Sequence, residues 1–309
     1  MRVISMIPAA TEMVAVLGKV DCLVGVSHEC DYPAEVRHVP KVTRCDVQHA
    51  DLTSSDIDSW VSQTLKASGT LYKLDESLVR QLEPDVILTQ RLCDVCAVEF
   101  DSVAELAASL SKPPRVVNLE PSTLKDIFEN LRTVAEVLGV PDRGETVICQ
   151  LTSRVEFVRQ SIEAAAHRPR CVVLEWIDPP FSSGHWGPEL VGLAGGVELL
   201  GKNAGHSTRI GWDRVRHADP EVLVLACCGY ETNRALQDVP ILARQPGWDD
   251  LAAVRSGRVF VIDGNAYFNR PGPRIVDTIE MLAQILHPEL FATTFPDRGI
   301  IRLGSEAGA

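Results

Sequence analysis

The strongest constraint on the fold of this chain is a set of short, almost uninterrupted apolar runs rich in β-branched residues. They lie at residues 3–7, 22–26, 86–89, 116–119, 171–174, 222–225 and 259–262. Runs of this kind are typical of parallel strands that are covered on both faces. The stretches between them have helical spacing, for example residues 103–110 and 124–138. Strands that alternate with helices predict an α/β fold with parallel sheets.

The length of the chain and a weak internal echo predict two lobes. The chain has 309 residues, whereas single hydrophobic cores tend to stop growing near ~250 residues. Glu-Pro-Asp at residues 83–85 precedes the third apolar run, and Asp-Pro-Glu at residues 219–221 precedes the sixth. This echo favours two lobes of similar construction, each with its own parallel sheet.

A long helix is predicted between the two halves. Neither Gly nor Pro occurs from Glu145 to His167, and apolar residues recur there at helical spacing. A helix of about 25 residues, from about Arg143 to His167, would be roughly 37 Å long. We therefore predict an N-terminal lobe at residues 1–140, a single connecting helix at 141–168 and a C-terminal lobe at 169–309.

The candidate binding residues are those that directly follow the predicted strands, because open parallel sheets bind ligands beyond the carboxyl ends of their strands. In the first half they are Pro8, His28, Glu29, Cys30, Tyr32, Gln90, Cys93 and Cys96. In the second half they are Trp176, Phe181, Trp186, Cys228, Tyr230, Tyr267 and Arg270. If the two edges face each other, they form a cleft lined with sulfur, His28 and aromatic rings, which would hold a small ligand.

The pair Cys93-x-x-Cys96 has several interpretations. Its spacing suits half of a zinc site or a dithiol redox pair, and thiols can also contact a soft metal or serve as small buried apolar groups. His28 and Cys30 are the other candidate ligands for a soft metal ion. A metal role also predicts lowered cysteine pKa values, because soft metals bind the thiolate.

Several classes of function are disfavoured. The formal net charge is −12 and the basic residues form no run, so a nucleic-acid partner is not expected. No apolar stretch approaches the ~20 residues of a membrane span. Motifs of serine hydrolases, phosphate-binding loops and zinc proteases do not occur, which favours a protein that binds without catalysis. The strand-like run directly after Met1 leaves no room for a signal peptide, so we expect a cytoplasmic protein.

An ordered set of motifs carries a family resemblance. The motifs are Ser-Met-Ile-Pro-Ala-Ala-Thr-Glu at residues 5–12, Asp-Tyr-Pro at 31–33, Leu-Glu-Pro-Asp-Val-Ile at 82–87, Pro-Pro-Phe-Ser-Ser-Gly at 179–184, Gly-Gly at 195–196 and Arg-Pro-Gly-Pro-Arg at 270–274. In this order the chain resembles the cobalamin and iron-siderophore substrate-binding proteins of ABC transporters, which are class III periplasmic binding proteins of the helical-backbone metal receptor type. The resemblance implies two lobes joined by one long helix and a metal chelate, such as cobalamin or another corrinoid, held by strand-end loops.

The resemblance also implies roles for two further positions. Trp176 falls where the cobalamin binders place an aromatic residue against the corrin. An ABC permease is the implied partner, but such proteins dock through an acidic residue on each lobe, and Asn269 stands at the position in the C-terminal lobe. Docking in the usual way is therefore not expected.

The sequence thus predicts a cytoplasmic binder of a corrinoid or related metal chelate. One alternative is a thiol-dependent or metal-handling protein, or an enzyme, that uses Cys93, Cys96, Cys30 and His28. Another is a component of an importer.

Overall fold

The chain folds into two compact units. The computed structural model describes residues 1–45, 52–68, 70–91, 100–291 and 294–304. Unit 1 comprises Met1–Leu52, Asp56–Pro121 and Lys125–Cys149, and unit 2 comprises Thr53–Ser55, Ser122–Leu124 and Gln150–Ala309. None of the helices within the described ranges is both long enough and apolar enough to cross a membrane.

The first half of the chain alternates strands and helices. In chain order the elements are β1 (Val3–Ser5), α1 (Pro8–Val16), β2 (Leu23–Val26), β3 (Thr43–Cys45), α2 (Ser54–Ser68), β4 (Tyr72–Leu74), α3 (Glu76–Leu82), β5 (Val86–Thr89), α4 (Phe100–Ser109), β6 (Arg115–Asn118), α5 (Leu124–Val137) and α6 (Pro141–Ser161), with 3-10 helices at Val20–Cys22 and Ala34–His38. The main sheet of unit 1 is parallel and has the order β2-β1-β5-β6, and β3 and β4 form a separate two-stranded antiparallel sheet.

The second half repeats this alternation with additional short strands. Its elements are a 3-10 helix (Ile162–Ala164), β7 (Arg170–Trp176), β8 (Phe181–Ser182), α7 (Gly187–Leu193), β9 (Val197–Glu198), β10 (Thr208–Arg209), α8 (Trp212–Ala218), β11 (Val222–Leu225), α9 (Thr232–Ala243), α10 (Ala252–Arg255), β12 (Val259–Val261), a π-helix (Gly264–Phe268), α11 (Ile275–Leu286), α12 (Pro288–Phe291) and β13 (Ile301–Arg302). They build a seven-stranded sheet in the order β10-β8-β7-β11-β12-β13, in which β9 also pairs with β7.

All seven predicted apolar runs are strands of the two main sheets, so the prediction of an α/β fold with parallel sheets is confirmed. Every residue of β5 and β11 is buried, as expected for strands that helices cover on both faces. The predicted helices at residues 103–110 and 124–138 correspond to α4 and α5.

The two sheets share one internal plan. Strands β2-β1-β5-β6 of unit 1 correspond in order and direction to β9-β7-β11-β12 of unit 2. The echoed Glu-Pro-Asp and Asp-Pro-Glu segments lie before the equivalent strands β5 and β11. Glu83 ends α3 and Asp219 ends α8, each in the left-handed region with φ of 41° and 39°.

The same hydrogen bonds lock both copies of this plan. Asp85 Oδ2 accepts the backbone N–H of Arg2 at 2.8 Å, and Glu221 Oε2 accepts that of Arg170 at 2.9 Å. The side chains of the two arginines also donate to the last carbonyl of the helix before the echoed segment. Arg2 donates to Leu82 O of α3 at 2.7 Å, and Arg170 donates to Ala218 O of α8 at 3.2 Å. We call these two arrangements the strand locks. They show that the echo reflects a repeated architecture.

The long helix is shorter than the sequence predicts. Helix α6 spans Pro141–Ser161, with Pro141 in its first turn, and tightens into the 3-10 helix Ile162–Ala164. It ends early because Ala165 takes an extended conformation and donates its N–H to Ile162 O at 3.0 Å, so the chain leaves the helix before β7. The boundary between the two units falls inside α6, after Cys149.

Candidate functional site

His28 follows β2 at the carboxyl edge of the main sheet of unit 1, where the two-stranded β3–β4 sheet holds it. Its backbone N–H donates to Thr43 Oγ1 at 3.0 Å, and its Nδ1 lies 2.7 Å from the same oxygen. The imidazole ring centroid is 5.1 Å from that of Tyr72. Nε2 lies 3.2 Å from Glu29 Oε1. The ring is therefore fixed through Nδ1, which leaves Nε2 as the nitrogen that could coordinate a metal if Glu29 moves aside.

Cys30 lies in the interior of unit 1, although the sequence predicted it at the ligand edge. Its side chain is 2% exposed and Sγ is 3.0 Å from Thr11 Oγ1, which in turn donates to Ser5 Oγ at 2.9 Å. The thiol turns inward because the buried hydroxyl groups of β1 and α1 provide partners for it. Cys30 thus contacts Thr11, whereas His28 contacts Thr43.

The predicted metal set of Cys93, Cys96, His28 and Cys30 stays a prediction. Cys93 and Cys96 lie outside the described residues. Within the described ranges, no three His, Cys, Asp or Glu side chains come together in a group that could hold a metal ion.

The other unit 1 candidates differ in exposure. Pro8 is the first residue of α1 and is partly buried, Gln90 follows β5 and is buried, and Glu29 is exposed. Tyr32 is 48% exposed.

Trp176 and Tyr230 form an aromatic pair at the carboxyl ends of adjacent strands in unit 2. Trp176 is the last residue of β7 and is partly exposed, whereas Tyr230 follows β11 and is only 5% exposed. Their ring centroids are 4.9 Å apart with an interplanar angle of 51°. The indole N–H of Trp176 donates to Ser54 O at 3.1 Å. The pair therefore presents an aromatic surface whose donor is already satisfied.

A charged pair supports the buried tyrosine. The guanidinium of Arg234 lies 4.3 Å above the Tyr230 ring and donates to its hydroxyl at 3.0 Å. Arg234 also pairs with Asp238 at 3.2 Å, and the backbone N–H of Ser54 donates to Asp238 Oδ2 at 3.1 Å. Burial raises the pKa of Tyr230 above its usual value, so the phenol stays protonated.

Three further unit 2 candidates are accessible. Phe181 in β8 and Tyr267 in the π-helix are partly exposed, and each has an arginine near its ring, Arg209 at 5.9 Å and Arg274 at 5.3 Å. Cys228 is exposed, whereas its neighbour Cys227 is fully buried and its pKa is raised by that burial. Cys227 is therefore not a reactive thiolate, and of these two neighbours only Cys228 is accessible.

Trp186, Arg270 and Asn269 are engaged inside unit 2. Trp186 is 6% exposed and donates its indole N–H to Phe268 O at 2.8 Å, and Arg270 is 3% exposed and donates to Asn265 Oδ1 at 3.0 Å. Trp186 and Arg270 were predicted at the ligand edge, but both pack against the π-helix segment instead. Asn269 donates its amide to Ala226 O at 2.7 Å, a bond that a carboxylate could not make.

Sequence reasoning did not identify Ser54, Arg234 or Asp238. Arg234 and Asp238 have the spacing of four residues that brings side chains together on a helix, which was the only available signal. Such spacing is common on exposed helical faces, so it did not distinguish this buried pair. Nothing local marks Ser54 as a partner of Trp176.

Comparisons with known proteins agree with this architecture. The family model described as periplasmic binding protein matches residues 3–266. The vitamin B12-binding protein of Vibrio cholerae is 22% identical over 289 residues, which cover 92% of this chain and 88% of that protein. The uncharacterized ABC transporter substrate-binding lipoprotein YvrC of Bacillus subtilis is 22% identical over 295 residues, covering 94% and 81%.

A solved structure has the same fold. The periplasmic heme-binding protein RhuT from Roseiflexus sp. RS-1 superposes with a TM-score of 0.67, at 21% identity, over 93% of this chain and 98% of that one. At this level of identity the likeness concerns the fold alone.

The prediction of a cytoplasmic location is wrong. The matching family is described as periplasmic, and one relative is named a lipoprotein. These findings point to a location outside the cytoplasm. The prediction rested on where the sequence begins, which carries no information about location.

The family match covers most of the chain and agrees with the four parallel strands at the centre of each main sheet. The chain belongs to the periplasmic binding protein family.

Proposed function

We propose that this protein binds a corrinoid or a related metal chelate without reacting with it, as the substrate-binding component of an ABC transporter. The observation that carries the proposal is the Trp176–Tyr230 pair at the carboxyl ends of β7 and β11. Strand ends are where open parallel sheets bind their ligands.

The pair suits a broad ligand with an apolar face. The Tyr230 ring is buried, and the Trp176 ring that packs against it is partly exposed. Aromatic contacts contribute about 0.5–1.5 kcal/mol each beyond the burial of apolar area. Because the indole N–H is already bound to Ser54 O, a ligand that covers the ring leaves no donor unsatisfied.

The names of the relatives support a metal chelate as the ligand. Among the similar proteins are ones named for vitamin B12, for heme and for an Fe3+-hydroxamate transport system. A corrinoid is the member of this group that we propose, on the position of Trp176. Phe181 and Tyr267, both partly exposed at strand-end loops, would supply further apolar contact.

His28 is the residue of unit 1 that we propose as a ligand for the metal. Its Nδ1 is fixed 2.7 Å from Thr43 Oγ1, an arrangement that orients Nε2 in metal-binding histidines. Coordination would require Glu29, 3.2 Å from Nε2, to turn away.

An ABC permease is the proposed partner. Asn269, at the position implied for docking in unit 2, is committed to Ala226 O and carries no charge. We therefore do not expect docking through an acidic residue at this position.

Titration with cyanocobalamin and with hemin, followed by the absorbance of the ligand, tests the proposed function. We expect at least one of the two to bind, and Trp176→Ala to weaken that binding about tenfold, as expected from the loss of an aromatic contact and its buried area. Phe157→Ala is the control, because it removes a 50% exposed ring from α6, outside the proposed site.

Two results would count against the proposal. If neither chelate binds, the corrinoid and heme-like class is wrong. If one binds and Trp176→Ala has no more effect than Phe157→Ala, then the aromatic pair is not the binding surface.

A further inference from the structure

We infer that Asp238 is a positioning residue, which fixes the orientation of the Trp176 indole through a closed ring of contacts and so prepares it for the ligand. The inference rests on the proposed function, because it assigns Trp176 to ligand contact. It concerns a buried acid on α9 that itself has no place on the ligand surface.

The ring of contacts passes through five residues of unit 2. We call it the Trp176 circuit. It runs from Trp176 Nε1 to Ser54 O at 3.1 Å, from Ser54 N to Asp238 at 3.1 Å, from Asp238 to Arg234 at 3.2 Å, from Arg234 to the Tyr230 hydroxyl at 3.0 Å, and from the Tyr230 ring to the Trp176 ring at 4.9 Å. Each member touches the next, and the last touches the first.

Asp238 is the point at which the two arms of the circuit meet. One arm reaches the edge of the indole through the backbone of Ser54, and the other reaches its face through Arg234 and Tyr230. Asp238 is 4% exposed, so its charge is held by these contacts and not by solvent. A neutral side chain would leave the Arg234 guanidinium without its full counter-charge and would weaken both arms together.

The orientation of Trp176 is what the circuit adds to ligand binding. A tryptophan side chain has two rotatable torsions. If both are fixed before the ligand binds, binding no longer carries the entropic cost of fixing them. That cost corresponds to roughly threefold to tenfold in affinity for one immobilised side chain. The circuit thus improves binding without touching the ligand.

The test compares Asp238→Asn with a matched control in the same unit. Asp277→Asn is the control, because Asp277 also forms ion pairs with two arginines, Arg154 and Arg298, but on α11 and outside the circuit. Each change is also made in a Trp176→Phe background, which keeps a ring beside Tyr230 and removes the indole.

Two readouts are measured on all six proteins, including the two parents. The first is the tryptophan region of the near-ultraviolet circular dichroism spectrum, which reports how fixed an indole is and needs no ligand. The second is the dissociation constant for cyanocobalamin or hemin, whichever binds the parent.

We expect Asp238→Asn to reduce the tryptophan signal and to weaken binding roughly threefold to tenfold, and both effects to vanish in the Trp176→Phe background. Asp277→Asn should leave both readouts unchanged even if it lowers the melting temperature. If Asp238→Asn acts equally in both backgrounds, its role is merely structural and the inference is overturned.

Failure of the inference and failure of the proposed function give different results. Absence of binding by both chelates contradicts the proposed function, while the spectral comparison still decides whether Asp238 orients Trp176. Binding that is unaffected by Asp238→Asn, together with an unchanged spectrum, overturns the inference and leaves the proposed function standing.

Discussion

At the scale of single residues, Gly264 lets the segment after β12 approach the end of β11 closely, because glycine has no side chain. A Cβ atom added at Gly264 would lie 2.1 Å from the carbonyl oxygen of Cys227, far inside contact distance, and the obstacle is backbone that cannot turn aside. Asp263 starts the π-helix here by accepting the N–H of Ala266 at 2.6 Å. The segment that carries Tyr267 is therefore held against β11 by a close contact that only glycine permits.

Replacing Gly264 with alanine should destabilise the protein by about 1–3 kcal/mol, the usual cost of forcing extra atoms into a packed site. Gly192→Ala is the matched control, because it lies in α7 and an added Cβ there meets nothing within 4 Å. The control should gain about 0.5–1 kcal/mol, since alanine favours a helix over glycine. Urea unfolding measures both changes, and equal effects would refute the steric argument.

Residues also show where prediction from sequence stops. Trp176 ends β7 and Trp186 lies ten residues further on, at the start of α7, and the sequence could not tell which of the two rings stays accessible. The difference lies in their acceptors, Ser54 O at a separation of 122 residues and Phe268 O at 82 residues. Such partners depend on the tertiary fold, and no local pattern encodes them.

At the scale of elements, Arg154 and Arg159 of α6 lie in contrasting surroundings. Arg154 donates to both oxygens of Glu280, at 2.8 Å and 2.7 Å, and also contacts Asp277 on α11. Arg298, from the C-terminal segment, joins the same acids at 2.7 Å and 3.1 Å. Arg159 pairs with Glu156 on α6 and with Glu163 on the 3-10 helix that continues it. The first network ties three segments of unit 2 together, whereas the second consists of exposed pairs between near neighbours in the chain.

Arg154→Ala should lower the free energy of unfolding by about 1–3 kcal/mol, because it leaves the 6% exposed Glu280 with less counter-charge. The cost stays below that of a fully buried pair, since 37% of the Arg154 side chain is exposed and screening applies. Arg159→Ala is the control and should have no measurable effect. Hydrogen exchange in the second half of α6 should quicken in the first variant only; the same change in both would contradict this account.

The longer elements were predicted from the sequence and the shortest ones were not. The seven apolar runs and the long helix were visible because burial or periodicity extends over several residues. Strands β8, β9, β10 and β13 have two residues each, too few for any alternation to be read. Strands β3 and β4 were also missed, because helix α2 separates them in the chain and no local pattern shows that they pair, although they hold His28 in place.

At the scale of the whole molecule, the strand locks make stability depend on acid pH. The backbone N–H of Arg170, followed by His167, lowers the pKa of Glu221 below its ordinary value of 4.5. Lys112 and the backbone N–H of Arg2 lower that of Asp85 below 3.8. An acid with a lowered pKa in the folded state contributes stability above its unfolded pKa and loses it as the pH falls through the folded value.

Glu221→Gln should therefore destabilise the protein at pH 7, and the difference from the parent should vanish as the pH falls below 4.5. Tryptophan fluorescence during urea unfolding is a suitable measurement, because unit 2 contains Trp176, Trp186, Trp212 and Trp248. Glu163→Gln, at an exposed acid on the 3-10 helix, is the control. A constant difference between parent and Glu221→Gln at every pH would exclude the titration of Glu221 as the cause.

The satisfied indole of Trp176 has a consequence for selectivity. The single N–H of the indole already donates to Ser54 O, and the hydroxyl of Tyr230 accepts a hydrogen bond from Arg234. The aromatic pair therefore selects ligands by their flatness and area, and hardly by their polar groups. Porphyrins and corrins should therefore compete for this surface. Side chains around the aromatic pair would then have to discriminate between the two ligands. A few substitutions there could change the preferred ligand and leave the aromatic pair unchanged.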